Sequence, residues 1–222
     1  EPLLARDKIL KFCARADRDK RHTYSYSIST NASVYDDRFF RKMENYGLTN
    51  ATVSMVGTGE IHNALRPSKE YDSDRVIRNI ISMLRHTNVV VKLNLCRKNI
   101  ENIREIFEEL SGYRHSSLSF TFSRITSYEH RPCAELELDV DTYMKHVIEL
   151  ANWALDHQFR VSDMSCLQNF GVYCGAYAKN NYVVGPGLYL YQCDRSYDPN
   201  DAFAKIADGT LRYRENGIGC GN

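Results

Sequence analysis

Val89-Val90-Val91-Lys92-Leu93-Asn94-Leu95-Cys96 reads as a buried strand, apolar and β-branched apart from Lys92 and Asn94. Ile100, Ile103, Ile106, Phe107 and Leu110 follow at helical spacing. They predict a helix with one apolar face, capped at its start by Asn99. Leu118-Ser119-Phe120-Thr121-Phe122-Ser123-Arg124-Ile125 then alternates with period two, the mark of a further strand. Strand, helix and strand joined by short connections form a parallel crossover unit, and that unit decides the fold class.

The same alternation extends in both directions. Ala5–Ala16 reads as a helix with Ile9, Leu10 and Cys13 on one face, and Tyr24–Thr30 as a strand. Asp36–Tyr46 reads as a helix presenting Phe39, Phe40, Met43 and Tyr46, stopped by Gly47. A short strand over Ala51–Met55 precedes a helix capped by Asp72 or Ser73, with Val76, Ile77, Ile80, Ile81 and Leu84 inward. Asp141–His157 is the last long helix, with Met144, Val147, Ile148, Ala151 and Leu155 expected inward. These β/α repeats predict an α/β fold with a parallel sheet, open or closed into a barrel. In such folds the chemistry sits at the C-terminal ends of the strands. Beyond residue 160 helical periodicity gives way to glycine, tyrosine and cysteine, so 1–160 and 161–222 are expected to be separate domains. Asp201–Ile206 reads as a short helix in the second.

The 222 residues carry a formal net charge of +1, which gives no electrostatic reason to expect nucleic acid or an anionic membrane as partner. No apolar run approaches the roughly 18 residues that cross a bilayer. Seven cysteines cannot all pair with one another within the chain. Cys13 and Cys96 fall in apolar periodic segments and read as core, while Cys133 lies in a loop. Cys166, Cys174, Cys193 and Cys220 crowd the last quarter, around a glycine-bearing turn. That asymmetry favours a ligand cluster in a reducing compartment, the cytoplasm, over a disulfide framework. Zinc and iron–sulfur ligation both remain open on spacing alone.

At the predicted strand ends stand Thr30-Asn31-Ala32-Ser33 and Val53-Ser54-Met55-Val56-Gly57, the second followed by His62 and Arg66-Pro67. A strand-end Asn and Ser with a nearby Arg could grip a carboxylate and sugar hydroxyls, because guanidinium matches a carboxylate bidentately. The same residues read equally as a turn Asn, a capping Ser and a surface Arg.

In order, these motifs resemble those of radical S-adenosylmethionine (radical SAM) enzymes. Glu1-Pro2-Leu3-Leu4 resembles the end of their Gly-Gly-Glu-Pro-Leu-Leu segment. Thr30-Asn31-Ala32-Ser33 resembles Thr-Asn-Gly-Thr, and Val53 to Gly57 with His62 and Arg66 resembles Val-Ser-Leu-Asp-Gly with a later His and Arg. The tail resembles the cysteine-rich SPASM or twitch extension, including Tyr191-Gln192-Cys193-Asp194. The resemblance runs from residue 1 to 222 and is similar to anaerobic sulfatase-maturating enzymes and peptide maturases. It implies a partial (β/α)6 TIM-like barrel with a small C-terminal SPASM/twitch-like domain. It implies that Glu1 binds the methionine amino group, that Ser54 and Arg66 hold the methionine carboxylate and ribose, and that Asn31 is a further contact. Cys166, Cys174 and Cys193 are implied ligands of an auxiliary [4Fe–4S] cluster, with Cys220 the first half of a following Cys-x-x-Cys. Asp194, directly after Cys193, is implied as a proton acceptor from the substrate. The implied partners are a peptide or protein substrate and an electron donor such as flavodoxin or ferredoxin.

The sequence departs from this family at several points. It contains no Cys-x3-Cys-x2-Cys motif, which holds the cluster that reduces SAM. Val56 stands where the family has Asp, and the Gly187-Leu188 region disturbs the spacing before Cys193. The chain is therefore expected to be a fragment lacking the opening of the barrel, and inactive alone. The competing expectation is a non-catalytic metal-binding or peptide-binding α/β module.

Overall fold

Four parallel strands, β1 (Tyr26–Thr30), β2 (Leu48–Met55), β3 (Asn88–Leu95) and β4 (Leu118–Arg124), pair in the order β1-β2-β3-β4. They belong to a computed structural model that describes residues 1–67, 72–114, 116–127, 133–162, 182–193 and 198–213. Two compact units result, Glu1–Met164 and Ser165–Asn222.

In the first unit the strands alternate with α1 (Arg6–Ala16), α2 (Asp37–Asn45), α3 (Gly59–Leu65), α4 (Ser73–Met83), α5 (Arg104–Glu109) and α6 (Val140–Asp156). Strand alternation divides the sheet into two faces. Ile28, Ala51, Val53, Met55, Val89, Val91, Leu93, Leu95, Leu118, Phe120 and Phe122 are buried on one. Ser27, Ser29, Thr52, Ser54, Val90, Lys92, Asn94, Ser119, Thr121 and Ser123 occupy the other and are exposed or half-buried. The first face packs on the helices. Phe107 of α5 lies 4.1 Å from Phe120 between ring centroids, and Phe159 meets both edge-on. The outer edge of β4 is itself paired: the Phe120 N–H donates to the Arg160 carbonyl at 2.8 Å, and the Ser162 N–H donates to the Phe120 carbonyl at 2.8 Å. Val161 thus bridges β4 in parallel, at the position of a fifth strand. This is the expected partial parallel barrel wall.

Three carboxylates fix helix starts. Asp36, Asp72 and Asp139 accept from the backbone N–H of Phe39, Arg75 and Thr142, opening α2, α4 and α6. Asp72, not Ser73, is therefore the cap of α4. Two expectations need correction here. Asn99 does not cap a helix: 97–103 form turns, α5 begins at Arg104, and the Asn99 side chain is used elsewhere. In α6 the inward residues are Val147, Leu150, Ala151 and Ala154, whereas Ile148 and Leu155 are 45% and 57% exposed. The apolar positions of α6 exceed one stripe, and packing against the sheet selects which of them are buried.

The second unit contains an antiparallel meander of β5 (Val183–Val184), β6 (Tyr189–Tyr191), β7 (Ala204–Ala207) and β8 (Thr210–Tyr213). The helix expected over Asp201–Ile206 is instead a 3-10 turn, Pro199–Asp201, running into β7. Ala204 pairs with Leu190 on one side and Tyr213 on the other, so cross-strand pairing overrides a weak local preference. Gly187 (φ 72°) and Leu188 (φ 61°) make the turn between β5 and β6, where sequence spacing departs from the family pattern.

Candidate functional site at the strand ends

The segment Pro2–Ala5 forms a single 3-10 turn whose start is fixed by Pro2 and whose anchor is the fully buried Leu3. This places the Glu1 carboxylate against the C-terminal end of β1. The Thr30 hydroxyl lies 2.8 and 2.7 Å from Glu1 Oε1 and Oε2. The Leu3 N–H donates to Oε1 and the Asn31 N–H to Oε2, each at 3.1 Å. Thr30 has one hydroxyl proton and can donate to only one oxygen at a time. A carboxylate offers about four lone-pair sites, so one remains for an ammonium or another donor. The sequence offers Thr30 only as the first residue of the Thr30–Ser33 motif and assigns it no contact; its place as the last residue of a strand is the signal that points to it.

The turn after β1 is held from two sides. The Ala32 N–H donates to Thr30 Oγ1 at 2.9 Å, and Asn79 of α4 donates to the Ala32 carbonyl at 2.7 Å. The Asn31 side chain accepts from the Ser33 N–H at 2.9 Å. Ala32 is fully buried with φ 55°. This left-handed conformation is one glycine adopts without penalty, and the resembled motif has glycine here.

Ser54 is the next residue after Val53, the register partner of Thr30, and lies half-buried on the polar face. The loop beyond it is tied to the end of β3 by Asn99, which is fully buried. Asn99 Nδ2 donates to the Val56 carbonyl at 2.7 Å and the Asn94 carbonyl at 2.8 Å, while its Oδ1 accepts from the Cys96 N–H at 2.8 Å. Farther along, the Gly59 N–H donates to Ser73 Oγ at 2.8 Å, and the Thr58 hydroxyl bonds Glu105. Arg66 ends α3, its N–H donating to the His62 carbonyl at 2.8 Å. His62 is buried, and burial first, then the Arg66 charge, hold its imidazole below the usual value. A hydrogen bond to the Gly57 backbone and the Asp72 charge act in the opposite direction.

The structure thus gathers Glu1, Thr30 and Asn31 at one strand end, with Ser54 one register step away and Arg66 at the end of the following helix. Glu1 and Arg66 supply one negative and one positive group, a set that suits the zwitterionic methionine end of SAM. A cleft of about 430 Å³ lies at the opposite, N-terminal ends of β3 and β4, lined by residues including Asn88, Ser119, Arg160 and Ser162. None of the described candidate residues lines it. In the second unit Cys193 is half-buried, two residues beyond β6. Cys166, Cys174, Cys220 and Asp194 lie outside the described residues. Among the described residues no group of three or more His, Cys, Asp or Glu side chains is placed to hold a metal ion.

A parallel α/β barrel wall with polar ligand-type residues at its C-terminal rim defines the class of fold. Its solved counterparts include anSMEcpe, an anaerobic sulfatase-maturating enzyme, seen with bound AdoMet and the Cp18Cys peptide. That structure has 18% sequence identity, a TM-score of 0.69, and covers 94% of this chain and 62% of its own. The anSMEcpe structure with AdoMet alone gives a TM-score of 0.71 at 17% identity, covering 94% of this chain and 61% of its own. SuiB of Streptococcus suis gives 0.58 at 11% identity, covering 85% of this chain and 46% of its own. This chain therefore spans less than two thirds of the length of these structures. No protein-family model matches the sequence, and no curated protein matches it.

Proposed function

We propose that this chain is the greater part of a radical SAM enzyme that modifies a side chain of a peptide or protein. The observation that carries the reading is the Glu1 carboxylate, fixed at the end of β1 by Thr30 and Asn31 with one acceptor site left over. The fold it shares with anSMEcpe, solved with AdoMet and a peptide, supports the same reading. SAM, when bound and reduced, supplies the 5′-deoxyadenosyl radical that removes a hydrogen atom from the substrate.

The chain's own residues have positional work. Glu1 accepts from the methionine ammonium. Arg66 balances the methionine carboxylate, and Ser54 and Asn31 donate to or accept from nearby polar atoms of the cofactor. Asp194 takes a proton from the substrate radical, while Cys166, Cys174, Cys193 and Cys220 would ligate auxiliary iron–sulfur clusters, one of which would accept the remaining electron. Formylglycine formation in a sulfatase is the leading form of the reaction, and crosslinking of a ribosomal peptide is the second. No helix among the described residues is long and apolar enough to cross a membrane, and the cytoplasm, with its flavodoxin or ferredoxin donors, suits such chemistry.

The test is anaerobic purification of the full-length protein, followed by iron and sulfide analysis and an assay for 5′-deoxyadenosine. SAM cleavage is expected, with Arg66→Ala weakening SAM affinity at least about tenfold. Zinc in place of iron, with no SAM bound, would reject the reading and favour a metal-binding module.

A further inference from the structure

We infer that Lys92 is a specificity residue that holds a carboxylate of the peptide substrate over the open face of the sheet; this rests on the peptide-modifying reading above. The four strands contain two charged residues, Lys92 and Arg124, and no acidic one. Arg124 ends β4 and is engaged, its guanidinium donating to the Leu138 carbonyl at 2.9 Å and lying 3.5 Å from Glu137. Lys92 differs. It sits in the middle of β3 on the polar face, half-buried, and among the described residues no carboxylate lies within ion-pair distance of it.

The neighbours of Lys92 across the sheet are fixed by register. Ser54 of β2 is its partner on one side and Thr121 of β4 on the other. With strands about 4.8 Å apart, the row Ser54, Lys92, Thr121 is a line of hydroxyl, ammonium and hydroxyl about 10 Å long. Asn94 and Ser123, partners one layer nearer the strand ends, extend the polar surface. A cation flanked by hydroxyls on a face without acids is complementary to an anion with several acceptor oxygens, and a carboxylate fits. An ammonium held partly out of water, with no carboxylate among the described residues at ion-pair distance, is costly, so a site of this kind favours a ligand that brings the charge.

The methionine carboxylate of SAM has the same chemistry, but apart from Ser54, which borders both, the groups assigned to SAM lie elsewhere. Glu1 and Asn31 are at the end of β1, Ser54 is on β2, and Arg66 already provides a cation. Lys92 stands one strand farther across the face than Ser54, on the side away from Glu1 and Asn31. The carboxylate is therefore that of an Asp or Glu side chain of the peptide.

Binding separates these cases without turnover. The probes are fluorescein-labelled Gly-Glu-Cys-Glu-Gly-amide and its Gln counterpart, titrated by anisotropy into full-length, SAM-loaded protein. Wild type is expected to bind the Glu peptide about tenfold more tightly than the Gln peptide, with the preference shrinking as salt is raised. Lys92→Met, which keeps the aliphatic stem, should abolish the preference, and Lys92→Arg should retain it. SAM affinity without peptide should be the same in all three, and matching thermal midpoints show that each variant is folded. Equal binding of the two peptides by wild type, or a preference that survives Lys92→Met, overturns the inference. Loss of SAM affinity in Lys92→Met also overturns it, by assigning Lys92 to the cofactor. Failure of the radical reading itself shows separately, as absent 5′-deoxyadenosine and absent SAM binding in wild type.

Discussion

At the residue scale, two positions make the rim of the sheet informative. Ala32 holds a left-handed backbone while fully buried between Thr30 and Asn79. An L-residue there costs about 1 kcal/mol or more relative to glycine, partly offset by glycine's greater freedom in the unfolded chain. Ala32→Gly is expected to raise stability by about 0.5 kcal/mol, and Ala32→Val to lower it by about 2 kcal/mol. Urea unfolding of both variants measures this, and a destabilised Gly variant would contradict the strain. His62 makes the second test. Burial, then the Arg66 charge, favours its neutral form in the native state. Below the unfolded value of about 6.5 the unfolded chain takes up a proton that the folded chain resists. This contribution is therefore fully present above about pH 6.5 and is lost as pH falls toward the depressed folded value. His62→Gln should flatten that part of the stability–pH curve. Parallel wild-type and variant curves between about pH 5 and 7.5 would show that His62 does not titrate as argued.

At the scale of elements, the strand-end loops are held together from behind by side-chain amides. Asn99 joins the loop after β2 to the end of β3 through three bonds to backbone groups. Each buried backbone group left unsatisfied costs on the order of 1–3 kcal/mol. Asn99→Ala is expected to lose about 3 kcal/mol, and Asn99→Asp at least as much, because a carboxylate would face two carbonyl oxygens. Thermal and urea unfolding check both. A loss below about 0.5 kcal/mol would mean the bonds are replaced by water. Asn before an apolar periodic run is the usual sign of a helix cap, and so Asn99 reads as one in the sequence. The competing arrangement, a tertiary bond to Val56 forty-three residues earlier, leaves no local trace. The α6 face was misjudged for a related reason: Ile148 and Leu155 are as apolar as the residues that pack, and only the neighbouring strands decide between them.

At the scale of the whole molecule, the first unit carries the strand-end rim proposed to bind SAM and the second the thiols proposed to ligate auxiliary clusters. In the full-length protein, Cys193→Ser is expected to lower iron content by about four atoms per chain, one [4Fe–4S] cluster, as read by iron and sulfide analysis. Unchanged iron would remove Cys193 from the ligand set. Asp194→Asn should leave SAM affinity as in wild type and stop product formation, and full turnover would return Asp194 to a structural role.

The alternation of period-two and helical segments, read without coordinates, determined that this protein is a parallel α/β fold with its polar residues at the strand ends. That information is local, because each strand and helix writes its own periodicity into consecutive residues. Which side chains meet at the rim was decided by the tertiary structure alone. Glu1 reaches Thr30 across 29 residues, Asn99 reaches Val56 across 43, and Lys92 finds itself between Ser54 and Thr121 through strand register. Such contacts arise from buried polar groups seeking partners and from strand pairing, neither of which depends on nearness along the chain.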